Sequence, residues 1–195
     1  IHSIKPENVI SFSSKTIPIL AILRKNFLDK KDTQINYVGA LPGCFDTDII
    51  KSIYGYQFEL NKINNVSDIS EFNVSTVFIS EQEEVSKFDL DSNVDFYINV
   101  TSNLGSMLLV NGSKNANYIS DIQHVRRRET IAMTPSNSLV ALKLLTNQTT
   151  SNSSISTVEA NKTSVLASIK EITESYSKAL VASSGLSMQY AIMMG

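Results

Sequence analysis

The sequence has little charge, one cysteine and no long apolar run. Only 18% of its 195 residues are Asp, Glu, Lys or Arg, against roughly a quarter in an average soluble domain. The net charge of −2 speaks against a general nucleic-acid coat, which carries a basic balance across the whole domain. The single cysteine, Cys44, excludes an internal disulfide. It fits a reducing compartment, or a particle assembled in one. No stretch of about 18 apolar residues occurs, so no membrane span is expected. No signal peptide is visible, and the first residue is Ile1 rather than Met. That start fits either trimming or a removed leader.

The hydrophobic fraction is 42%, enough for one large domain, or one domain with an appendage. A chain of this size buries about 70% of its unfolded surface, so it needs no metal or disulfide to fold. Its polar surface must rest on Ser, Thr and Asn, about three residues in ten. Seven Asn-x-Ser/Thr triplets, such as Asn65-Val66-Ser67 and Asn161-Lys162-Thr163, read as a by-product of that bias.

The opening reads strand, helix, strand. Asn8 to Ser13 alternates, with Ile10 and Phe12 on one face. Thr16 is placed to cap a helix with Pro18 in its first turn. Ile19, Leu20, Leu23 and Phe27 form its apolar stripe. Thr33 to Val38 predicts a second strand. Asp46 caps a short helix carrying Ile49, Ile50 and Ile53, and Gly55 ends it. Tyr56 to Leu60, Ser75 to Ile79, Val94 to Val100 and Met107 to Val110 predict further strands. Ser80-x-x-Glu83 is a capping-box pattern for a helix through Phe88. Asn111-Gly112 reads as a hairpin turn. Clean alternation implies one solvated or partly covered sheet face, which favours antiparallel or mixed pairing.

Beyond Asp121 the pattern weakens until a helix after Pro135, with Leu139, Val140, Leu142, Leu144 and Leu145. Residues 146–157 are almost all Ser, Thr, Asn and Gln, the composition of a linker. Ser156-x-x-Glu159 is a second capping box, and the rest reads as one long helix with a weak point at Ser184-Gly185. Its seam is Val165, Ile169, Ile172, Tyr176, Ala179, Ser183, Leu186, Tyr190 and Met193, at alternating spacings of four and three. The expected class is α+β: a mixed or mainly antiparallel sheet, a few packed helices and a long C-terminal helix. The expected divisions are a core at 1–145, a polar linker at 146–157 and a helical segment at 158–195.

Catalytic chemistry has one candidate. Cys44 lies between a strand and a helix start, where a thiol pKa is lowered, with His124 available as base. A small α/β enzyme using Cys44 is therefore one alternative. Gly43-Cys44-Phe45-Asp46 matches no nucleophile signature, and a lone cysteine among apolar neighbours is ordinarily a small core residue. His2 and His124, the two histidines, have no metal spacing. The acidic stretch Glu81, Glu83, Glu84, Asp89 and Asp91 lacks calcium-loop order. Gly39 to Gly43 is too short to cradle phosphate. No cofactor is expected.

Arg126, Arg127 and Arg128 form the one basic cluster. It reads as a solvated or internally paired turn, with a contact to an acidic subunit and then nucleic acid as lesser readings. A binding module using this patch is the second alternative. The favoured reading is a non-catalytic structural or assembly protein, partnered by other protein subunits, with a viral or phage particle as its setting. Arg126–Arg128 and the seam residues Ile169, Ile172, Tyr176, Leu186, Tyr190 and Met193 would make the contacts. Leu186 to Met194 contains no charge, so it must dock on its own core or on a neighbour.

Overall fold

The computed structural model describes residues 5–70, 75–81, 90–101, 104–112, 115–128, 133–145, 148, 158–174, 179–181 and 185–194. The chain forms β1 (Val9–Phe12), α1 (Ile17–Leu28), β2 (Thr33–Val38), α2 (Thr47–Ser52), β3 (Glu59–Lys62), β4 (Ser75–Glu81), β5 (Phe96–Thr101) and β6 (Gly105–Val110). The helices α3 (Ala116–Arg128), α4 (Pro135–Leu145), α5 (Val158–Thr173) and α6 (Gly185–Met194) follow. The class is α+β, built on one six-stranded sheet in the order β1-β6-β5-β4-β2-β3.

The sheet is mixed, as the alternation implied. The pairs β2–β3, β2–β4 and β4–β5 are parallel, and β1–β6 and β5–β6 are antiparallel. One face is apolar. Ile10, Phe12, Ile35, Val77, Ile79, Phe96, Ile98 and Leu108 meet Ile19, Ile22 and Leu23 of α1, Ile50 of α2, and Tyr118 and Ile122 of α3 in one core. On the alternating strands and the periodic face of α1, Ile10, Phe12, Leu23, Phe58, Phe96 and Ile98 are buried, and Leu20 is half-buried against them.

The second face departs from expectation. Gln34, Asn36, Thr76, Ser80 and Asn99 stand at the polar positions of their strands and Asp95 directly precedes β5, yet all are buried. Tyr97 and Leu109 join Ile69 and Val94 in a smaller apolar cluster there. Val94, at the start of the predicted strand Val94 to Val100, belongs to this second cluster, whereas Phe96, Ile98 and Val100 belong to the main core. Alternation reports the chemistry of each face and not whether another segment lies over it.

Local signals explain most elements. Asp46 accepts from the backbone N–H groups of Asp48 and Ile49, so it caps α2 as expected. Of Ile49, Ile50 and Ile53, only Ile50 is buried, and Ile53 is the C-cap of α2 rather than part of it. Thr16 stands at the N-cap position of α1, but its side chain makes no capping bond. Ser14 Oγ accepts from Thr16 and Ile17 N–H instead. The buried stripe of α1 also shifts. Asn26 is buried and Phe27 is 53% exposed, because the Asn26 amide donates to Thr33 Oγ1 and accepts from the Tyr118 hydroxyl. These bonds offset the cost of burying an amide.

Several expected boundaries move. Tyr56 and Phe58 are buried, but strand pairing starts only at Glu59. Ser80 lies within strand β4, one residue before its end, rather than capping a helix, and Glu83 to Phe88 lie outside the described residues. Asn111-Gly112 joins β6 to α3; the hairpin is β5–β6. Asn111 is held there by donating to the carbonyls of Asp91 and Val94. The linker at 146–157 lies outside the described residues apart from Gln148. The C-terminal segment contributes the longest described helix, α5, with 16 residues. It does not run on to Met193: Glu174 adopts φ +50°, which ends the helix, and α6 starts afresh at Gly185. No described helix is long and apolar enough to cross a membrane.

Candidate functional site

Ligand sites in open sheets with parallel strands lie at the carboxyl ends, where neighbouring strands send their connections to opposite faces. Here that point falls between β2 and β4. After β2 the chain passes over the helical face through α2, whose Ile50 lies in the main core. On the second face, the Tyr97 hydroxyl donates to the carbonyl of Asp91, in the segment that leads into β5.

The groups at this end are Ser14 and Thr16 before α1, Gly39 to Cys44 after β2, and Glu81 at the end of β4. Cys44 is exposed, and its thiol lies 3.8 Å from Thr16 Oγ1. The β5–β6 hairpin closes on the same end. Ser106 Oγ donates to the Ser14 carbonyl at 2.6 Å. A Cβ on Gly105 would fall 2.1 Å from the Phe12 carbonyl oxygen.

Among the described residues, this end pairs no base with the Cys44 thiol. His124 is exposed on α3, and no described hydrogen bond or ion pair joins it to Cys44. Glu81 is exposed at the strand end. Among the described residues, no group of three His, Cys, Asp or Glu side chains is placed to hold a metal ion.

Beneath this end lies an anomaly that sequence reading missed. Asn99 of β5 is fully buried opposite Ser80 of β4. Among the described residues neither its Nδ2 nor its Oδ1 has a hydrogen-bond partner, and neither does Thr76 Oγ1 near the start of β4. Buried amides are nearly always paired, so Asn99 stands out among the described residues.

The expected basic patch is dispersed by helix geometry, because consecutive helical residues turn about 100° from one another. Arg126 bends back to the sheet. Its Nη1 donates to the Ser11 carbonyl at 3.4 Å and its Nη2 to Gln123 Oε1 at 3.0 Å. Arg127 is exposed, and nothing is described of the Arg128 side chain. The cluster therefore sits in a helix, not in a turn. The spacing of Tyr118, Ile122 and Val125, which all face the core, was the available signal for α3. The four polar or charged residues among them, Ser120, Asp121, Gln123 and His124, masked it.

A polar assembly joins α1 to α3. Lys25 Nζ lies 2.9 Å from Asp121 Oδ2, and that hydrogen bond raises the Lys25 pKa above its ordinary value. Burial raises the Tyr118 pKa, against the opposing effect of Lys31, whose Nζ donates to the phenol at 3.3 Å.

The seam residues are divided. Ile169 is half-buried on α5, and Ile172 and Met193 are exposed by 81% and 83%. Nothing is described of the side chains of Leu186 and Tyr190, and Tyr176 lies outside the described residues. Leu180 and Ile192 are also largely exposed. Among the described residues, α4, α5 and α6 make no extended packing contact with the sheet, α1 or α3. Comparison with protein families, with curated proteins and with solved structures finds no match.

Proposed function

We propose that this chain is a non-catalytic structural subunit that assembles with other protein subunits through its C-terminal helices. One observation carries the reading: the sheet and its helices close their own core, whereas α5, α6 and the residues between them leave Ile172, Leu180, Ile192 and Met193 mostly exposed. Apolar side chains gathered on peripheral helices are characteristic of contact surfaces, and methionine adapts to irregular ones. A viral or phage particle as the setting rests on the sequence bias alone. The Cys44 enzyme has less support, since the thiol's described hydrogen bond is to Thr16. So does the basic binding module, since Arg126 is engaged within the fold.

The test is removal of residues 186–195 followed by sedimentation velocity beside the full chain. Because α6 is peripheral to the sheet, the shortened protein should keep its fold and sediment as a smaller species. A folded variant with unchanged oligomeric state overturns the proposal.

A further inference from the structure

The sheet has two edges, and they are protected differently. At one edge, β3 (Glu-Leu-Asn-Lys) carries its own charges at Glu59 and Lys62, both exposed. Charged residues on a short edge strand discourage pairing with another chain. At the other edge, β1 (Val-Ile-Ser-Phe) has no charge of its own. It is uncharged, β-branched and aromatic, the composition that promotes strand addition. Its Ile10 and Phe12 are in the core, so a charge at either is precluded.

A charge reaches this edge from elsewhere. Arg126 of α3 is 115 residues away in sequence, and its Nη1 donates to the carbonyl of Ser11, in the middle of β1. Gln123, one turn earlier on α3, accepts from Nη2 and holds the guanidinium in position. Arg126 Nε is buried without a partner among the described residues. A charged group is therefore kept in a partly desolvated position although its own bonding is incomplete, which solvation alone does not favour.

We propose that Arg126 guards the β1 edge. Its guanidinium occupies the Ser11 carbonyl and places a positive charge where a strand from a second copy of this chain would otherwise pair. Gln123 is the positioning residue.

The test compares Arg126→Ala with Arg127→Ala, which removes the same charge from the same helix at an exposed position. Concentration-dependent association is followed by sedimentation, and amide hydrogen exchange is read at Val9 to Phe12. The guard predicts that Arg126→Ala associates at least tenfold more tightly than the parent, with added protection of the β1 amides on association. Arg127→Ala should stay within about twofold of the parent. Adding Ser11→Pro to Arg126→Ala should reverse the association, since proline at an edge position blocks strand addition. If the alanine variant loses its fold, Arg126→Met keeps the stem without the charge and is measured in its place. Equal association by the Arg126 and Arg127 variants, or association that leaves the β1 amides unprotected or survives Ser11→Pro, overturns the proposal. This result is separate from that of removing residues 186–195, because the exchange readout is local to β1.

Discussion

The Tyr118 hydroxyl donates to Asn26 Oδ1 at 2.5 Å, across 92 residues of sequence. The same Asn26 side chain donates to Thr33 Oγ1 at 2.8 Å. One buried amide thus links α1, α3 and the start of β2. The Tyr118 ring also packs against Phe96, with centroids 4.8 Å apart, and lies beneath the ammonium groups of Lys25 and Lys31.

Replacing Tyr118 with Phe keeps the ring contacts and removes the donor. Asn26 Oδ1 is then buried without its partner, at a cost of about 1–3 kcal/mol. Urea unfolding measures this. A loss below about 0.5 kcal/mol would mean that the amide finds another partner.

Stability should fall at alkaline pH. Lys25 and Tyr118 both have folded-state pKa values above their ordinary ones, for the reasons given above. A raised pKa means that the folded state holds its proton more tightly than the unfolded chain. The contribution is complete below the unfolded values, near pH 10, and is lost as pH rises through the folded ones. Unfolding midpoints should be level from about pH 8 to 9.5 and decline above about pH 10. In Tyr118→Phe with Lys25→Met the decline should be shallower, and an equally steep decline would assign it to other groups.

Asn99→Leu should be neutral or stabilising by about 1 kcal/mol, because it removes an amide that is buried with both polar atoms unpaired. Leucine keeps the branching of asparagine, and its two methyl groups are bulkier than the amide, so overpacking sets the lower end of this range. Thermal unfolding reads the change. A loss of more than about 2 kcal/mol would show that the Asn99 amide is bonded in solution.

Gly105→Ala should be among the most damaging single substitutions. Gly105 has φ +111°, a region that L residues rarely adopt. Its added Cβ would also meet the Phe12 carbonyl oxygen and the Ser13 backbone, which cannot swing away as a side-chain tip can. Backbone strain and overpacking together should cost more than about 3 kcal/mol. Far-ultraviolet circular dichroism during urea unfolding measures it, and a cost under about 1 kcal/mol would mean that the hairpin moves freely off β1.

The strands and the cap of α2 were legible because their causes are local. Ile10 and Phe12 share a face through the period of two, and Asp46 needs only the next three residues to cap α2. The α1 stripe was misplaced by one position because Asn26 is buried through partners 7 and 92 residues away. The arginine cluster suggested a patch because three adjacent letters do not reveal which one turns inward. Arg126 does so because α3 runs beside β1, and that placement depends on β6 lying between β1 and β5.

The sequence by itself determined which segments alternate, which stretches are polar, and that no disulfide holds the chain together. These follow from side-chain chemistry and backbone period alone. Tertiary structure decided the strand order, the parallel pairing of β2, β3, β4 and β5, and the covering of a polar sheet face. It also brought Arg126 to an edge that has no charge of its own. Each of those outcomes is an energy of contact between groups far apart in the chain, and no local pattern encodes which distant partner will supply it.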